Sequence, residues 1–239
     1  AVALAPANAW GVAIFALILV QALFGKWTVT FKLKPIIVTT HLIGGMTTLS
    51  LLLWFMFRSA GWSLAQPASL RRAPVVFALV LVAIQIVLGG WASANYAAMA
   101  CGVDFPRCLG QWWPPLDVPG ALVLWRGIGV DFSGGILDGP ARTAIQMAHR
   151  LFAVLVFVQV LSLAVRALRW PGYRVHGAVL AAALCLQLAL GIGNVLGGLP
   201  LAVATAHNFG AALLLAVLIG LLARLTPLPA GLAPARAAP

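Results

Sequence analysis

QALFGKWTVTFKLKPIIVTTH, residues 21–41, and QLALGIGNVLGGLPLAVATAH, residues 187–207, carry one spacing, Gln-x3-Gly-x15-His. Gln21, Gly25 and His41 match Gln187, Gly191 and His207. Each set leaves one apolar segment, crosses a short turn and enters the next. Repeated spacing of this kind predicts duplicated helix pairs. A third Gln-x3-Gly, Gln85 to Gly89, opens another part of the chain without a trailing histidine. The repeat sets His41 and His207 at equivalent depths in two related units, and a histidine inside an apolar helix is a functional-site signal.

The chain around these motifs is 63% hydrophobic and only 8% charged. Its mean hydropathy is +1.05. That composition predicts an all-α, polytopic membrane protein. The net charge of +11 does not point to nucleic acid, because the basic residues stand at the ends of apolar runs and form no single patch. They read as topology signals and as contacts for anionic lipid or ligand groups. Glutamate is absent, and Asp104, Asp117, Asp131 and Asp138 all fall in one loop. No signal peptide is legible, and a start at Ala1 leading at once into an apolar helix predicts a processed or truncated N-terminus.

Six segments are long enough to cross a bilayer, near 9–29, 36–57, 74–98, 140–167, 175–196 and 202–224. Asp138-Gly139-Pro140 is a helix-start signal, and Pro35, Pro74 and Pro200 stand similarly. If the repeat unit is four helices, residues 74–225 make one complete four-helix bundle, with an outer loop at 99–139. Residues 1–58 are then a helix pair from a pseudo-symmetric second bundle, 59–73 a cytoplasmic linker and 226–239 a loose tail. Arg58, Arg71 and Arg72, then Arg166, Arg169 and Arg174, then Arg224 and Arg236 share one side, which is the expected cytoplasmic face. Lys26, Lys32 and Lys34 fall on the opposite side with the acidic loop.

His207 sits about six residues into its segment and His149 about nine, roughly 9 and 14 Å from the outer end. Two imidazoles on facing helices can hold a haem iron in a bundle core. The plainer reading is a pair of polar core histidines bonded to neighbouring helices. Zinc or copper lacks a Cys, Asp or Glu at that depth to complete its shell. Arg150 follows His149 directly, and no carboxylate lies within any helix to pair with it. A haem propionate is a natural partner; the alternative is that Arg150 snorkels to the outer surface. His41, by symmetry, is a ligand for a second haem. His176, beside Tyr173 and Arg174, reads as interfacial, and Cys185 as inert packing. Cys101-x6-Cys108 lies in the outer loop, where a structural disulfide or a redox-active pair are both open readings. Trp112, Trp113 and Trp125 in that loop suit a membrane interface, as a lid or as simple surface. Gly25, Gly89-Gly90 and Gly191, with their glutamines, suit close helix approach.

Asn95 to Cys101, Asp104 to Cys108, Gly110-Gln111-Trp112, Ile145 to Arg150, Ala206-His207-Asn208, and Gly25 to Val29 leading to Thr40-His41-Leu42 together resemble the haem A synthase family. The resemblance covers about residues 10–225. It implies eight membrane helices in two pseudo-symmetric four-helix bundles, and oxidation of a methyl group of haem O to the formyl group of haem A for cytochrome oxidase. It implies a bound haem b on His149 and His207, with Arg150 near it. It also makes His41 one histidine of the substrate bundle, and Cys101 and Cys108 the outer-loop pair. Haem O is then the substrate, membrane lipid the surroundings, and haem O synthase and cytochrome oxidase assembly proteins the expected partners. The location implied is the bacterial inner membrane with loop 99–139 outside. The family's first helix pair, with its Glu-x-x-His-Arg-type motif, has no counterpart here, so haem binding is expected more firmly than turnover. The competing classes are a bis-histidine b-type membrane cytochrome for electron transfer and a haem-free transporter. The first would need haems at different depths, and the second predicts interrupted helices.

Overall fold

The computed structural model describes residues 4–61, 63 and 70–228. It is all-α, as expected. The long helices are α1 (Leu4–Thr30), α2 (Pro35–Ser59), α3 (Arg72–Ala94), α5 (Gly139–Leu168), α6 (Arg174–Leu196) and α7 (Leu201–Leu225), with a one-turn helix, α4 (Val118–Ala121), between α3 and α5. Among the described residues, six helices are long and apolar enough to cross a membrane. Among the described residues there is no strand, only an isolated bridge between Cys108 and Gln111. The expected tail at 226–239 lies outside the described residues from 229 onward, as do residues 62 and 64–69 of the linker at 59–73.

The repeat seen in the sequence extends to how the helices stop. Helices α1, α3 and α6 end at Thr30, Ala94 and Leu196, each nine residues after its glutamine. Two residues further on, the backbone turns left-handed, at Lys32 (φ 50), Tyr96 (φ 53) and Gly198 (φ 68). One residue beyond that, an amide reaches back five positions to an orphan helix carbonyl: Leu33 to Thr28 at 2.8 Å, Ala97 to Ala92 at 2.8 Å, and Leu199 to Asn194 at 2.7 Å. This is the C-terminal closure in which a left-handed residue lets a helix satisfy its last carbonyls. Two of the three left-handed positions are not glycine, which costs energy at an L-residue. The closure also corrects the expected end of the third segment, from residue 98 to Ala94.

Helix starts follow the sequence signals closely. Asp138 Oδ1 accepts from the Ala141 amide at 2.8 Å at the mouth of α5. Asp117 does the same for α4 through the Gly120 amide at 3.0 Å. A side-chain oxygen there satisfies one of the amides that a helix start leaves unpaired. Pro35 occupies the first position of α2, where its missing N–H is no loss.

The chain divides into two compact units. One comprises Ala1–Leu49, Gln85–Phe152 and Ile192–Leu201. Its core gathers Ala92, Ala97, Ala121, Leu137, Ala141 and Ile145 under Trp91, whose indole donates to the Ala121 carbonyl at 3.0 Å. Cys101, Cys108 and Met147 form a second cluster. The other unit comprises Ser50–Ile84, Ala153–Gly191 and Ala202–Pro239. It buries Val160, Leu163, Leu180, Leu218 and Leu221 completely. In it Gly177 lets α6 approach α5: a methyl group there would lie 2.7 Å from the Leu168 nitrogen.

Candidate functional site

Each of three histidines lies against a glycine on a neighbouring helix. A methyl group on Gly25 would stand 3.2 Å from Cε1 of His41. On Gly89 it would stand 3.1 Å from Cε1 of His149, and on Gly191 3.1 Å from Cε1 of His207. The glycines therefore let an imidazole edge rest on a bare stretch of helix backbone. One turn earlier on each glycine helix is the glutamine. Gln21 Nε2 donates to the His41 carbonyl at 2.8 Å. Gln85 Nε2 donates to the His149 carbonyl at 3.1 Å and lies 3.1 Å from Nδ1 of the same ring. Gln187 Nε2 lies 3.4 Å from Nε2 of His207.

The Gln85-x3-Gly89 motif, read from sequence as lacking a histidine, thus has one in His149. Its partner was hidden because residues 95–138 intervene where the other two copies have four-residue turns. A further signal was legible and missed: a glycine three residues after the histidine, Gly44 and Gly210. The Gln21 side chain occupies the space a Gly44 side chain would take, and Gln187 that of Gly210. In these two copies the helices interlock both ways, histidine over glycine and glutamine over glycine. The third copy has Phe152 at that position.

The rings are partly sequestered. Nδ1 of His41 and Nδ1 of His207 are buried without a hydrogen-bond partner, as are Oε1 of Gln85 and Oε1 of Gln187. Such atoms are costly to leave unmet.

Arg150 takes partners that neither sequence reading named. Its Nη1 donates to the carbonyls of Asp104 at 3.1 Å and Arg107 at 2.9 Å, and its guanidinium faces the Phe105 ring at 5.8 Å. Those three residues lie between Cys101 and Cys108, which are joined in a disulfide and almost fully buried. Arg150 therefore fastens the disulfide loop to the helix that carries His149. Its Nε and Nη2 are buried without a partner, so half of the guanidinium is open to an acceptor. Inside the loop, Asp104 accepts from the Gly110 amide at 2.6 Å.

Lys34, which the sequence sets on the side of the acidic loop, is 2% exposed, its ammonium 3.3 Å from the centre of the Trp125 ring and bonded to the Gly127 carbonyl. A cation over an indole face is held by the ring quadrupole. With the Phe132 amide donating to the Lys32 carbonyl at 3.1 Å, residues 31–34 are docked against residues 125–132. Cys185 is exposed, so it is not core packing. His176 is half-buried, its ring 6.1 Å from that of Tyr173.

Residues 2–219 match the family described as cytochrome oxidase assembly protein. The chain is 42% identical over 206 residues to a haem A synthase of Shewanella oneidensis, covering 85% of this chain and 62% of that protein. It is 30% identical over 217 residues to a haem A synthase of Rhizorhabdus wittichii, covering 87% of this chain and 58% of that one. A third relative, the haem A synthase of Paracoccus denitrificans, is 30% identical over 195 residues, which is 75% of this chain and 46% of that protein. The chain thus spans about three fifths or less of the length of these curated relatives.

Proposed function

Because this chain belongs to the cytochrome oxidase assembly protein family, we propose that it acts in haem A synthesis, oxidising a haem O methyl group to a formyl group. His149 and His207 are proposed as the residues that would hold the iron of a resident haem b, and His41 as a ligand on the substrate side. The observation that carries the reading is the thrice-repeated seating of an imidazole on glycine beside a glutamine. Among the described residues no three His, Cys, Asp or Glu side chains gather into a cluster. Each histidine therefore offers a single nitrogen, a donor set that suits a haem axial position better than a bare ion. The unpaired Nε and Nη2 of Arg150 suit a carboxylate such as a propionate.

When bound, haem iron supplies the redox chemistry. The chain's own residues do the rest. The glutamines and glycines fix the histidines, Arg150 offers its open edge to an anion, and the disulfide loop is pinned to the helix bearing His149 at Met147 and Arg150. We place the protein in a bacterial inner membrane with loop 99–139 on the outer side. Haem O synthase and other oxidase assembly proteins are the proposed partners, with membrane lipid around the helices.

The test is the dithionite-reduced minus oxidised spectrum of the purified chain beside His149→Ala and His207→Ala. A low-spin b-type spectrum lost in both variants is expected. A wild type that stays colourless after haem reconstitution, or a spectrum that survives both substitutions, refutes the ligand assignment.

A further inference from the structure

We propose that Gly89 and Gly191, with Gln85 and Gln187, are positioning residues that set the orientation of the His149 and His207 rings, and thereby tune the iron those rings hold. The inference rests on the ligand reading above. Gly25 and Gln21 would do the same for His41.

The argument is geometric. An imidazole attached to a helix can rotate about two side-chain torsions, and a ligand ring must present one nitrogen in one direction. Two contacts restrict it here. The glycine backbone stops the Cε1 edge of each ring at one distance, 3.1 to 3.2 Å from where a methyl group would be, in all three copies. The glutamine amide, one turn away on the same helix, reaches the histidine's carbonyl or ring: 2.8 Å for His41, 3.1 Å for His149 and 3.4 Å for His207. One contact sets the ring's lean and the other its height along the neighbouring helix. Groups in this outer position are known to orient metal ligands and alter affinity and potential.

Coincidence of ordinary close packing does not explain the pattern. Gly25, Gly89 and Gly191 all meet the same ring atom, Cε1, first, although α3 and α5 are linked quite differently from the other pairs. Glycines used only for close approach meet whatever is nearest, as Gly177 meets the backbone of Leu168 and Ala164. An added methyl would force each ring away by a few tenths of an ångström. That is enough to tilt a ligand ring without detaching it.

The experiment compares haem-loaded wild type with Gly89→Ala, Gly191→Ala, Gln85→Leu and Gln187→Leu, and with Gly11→Ala, which has nothing within 4 Å, as control. Three quantities are read: haem per chain, the low-spin electron paramagnetic resonance g-values, and the midpoint potential. Retained haem with shifted g-values and potential is expected in the four variants, and no shift in the control. A residue that serves only helix packing would lower the melting temperature and leave both spectroscopic readouts in place. Retained haem with unmoved g-values and potential overturns the proposal while leaving the ligand assignment standing. If the His149→Ala and His207→Ala spectra match wild type, the ligand reading itself has failed. Where an alanine variant does not accumulate, the glutamine variant of the same module decides by the same criterion.

Discussion

Replacing Arg150 with Gln should unfasten the disulfide loop, and the size of the effect follows from its two hydrogen bonds. The bond to the Asp104 carbonyl, at 3.1 Å, is part-buried, and a charged donor there stabilises by ~1.5 kcal/mol. The bond to the Arg107 carbonyl, at 2.9 Å, lies at the surface and contributes ~0.5 kcal/mol after water competition. Together they hold the loop by about 2 kcal/mol, or roughly a 30-fold lower population of the open loop. Cys101 is 1% exposed and Cys108 0%, so a reductant reaches their sulfurs only when the loop opens. The rate of disulfide reduction by a phosphine, trapped with a maleimide and read by mass, should therefore rise about 30-fold in Arg150→Gln. Arg150→Lys should lie between, since one ammonium can satisfy a carbonyl but lacks the planar fork. A rate within about twofold of wild type would show that Arg150 does not gate the loop, and the reasoning would fall.

Other consequences can be measured directly. Gly177→Ala places a methyl 2.7 Å from the Leu168 nitrogen and 2.8 Å from the Ala164 oxygen. Backbone cannot move aside as a side chain can, so a loss of about 1–3 kcal/mol is expected in detergent unfolding; an unchanged midpoint contradicts this. Arg58 donates to the carbonyls of Ala223, Thr226 and Pro227 at the end of α7. Arg58→Ala should quicken hydrogen exchange around residues 223–226 by about fivefold, the equivalent of ~1 kcal/mol, and equal exchange would count against a capping role. The Ser133 amide, at 2.9 Å, then its hydroxyl and lastly Lys32, hold the Asp131 carboxyl below the ordinary aspartate range. A lowered folded value means the stabilisation is complete above the unfolded pKa and is lost as pH falls through the folded one. The Ser133 amide should lose protection only below the usual aspartate range, and an onset at or above it would contradict the assignment.

The helices were legible because nothing competes with their signal. Long apolar runs interrupted by Pro35, Gly139-Pro140 and Pro200 leave few alternatives, and observed limits fall within a few residues of expectation. The largest differences are the start of α1, at Leu4 against an expected 9, and the end of α3, where apolar Ala97 and Ala98 prolong the hydrophobic run. Its stop is set by backbone geometry at Tyr96, which hydropathy does not register. The histidines were found by their apolar context, but the third glutamine–glycine motif looked incomplete because its histidine lies beyond residues 95–138. Spacing finds partners only across short turns. Arg150 illustrates a different gap. Its depth and the lack of nearby acids argued for an external anion, yet two main-chain carbonyls took half of its donors. Carbonyl acceptors belong to every residue and carry no sequence signature. The burial of Lys34 left no sequence signal for a similar reason: its partners, Trp125 and Gly127, lie far along the chain.

The third module also shows what holds a histidine in place. His41 and His207 follow their glycines by a tight turn, whereas His149 arrives after a long excursion and still meets its glycine at the same separation. The covalent tether is thus irrelevant to the register; the lateral clamp between helices sets it. Closing a longer loop costs little extra entropy, so the length of the connection between α3 and α5 is free to vary. Its packing is not: Ala97, Ala121 and Leu137 share a core with Ala92, Ala141 and Ile145, Trp125 covers Lys34, and Arg150 grips the disulfide loop.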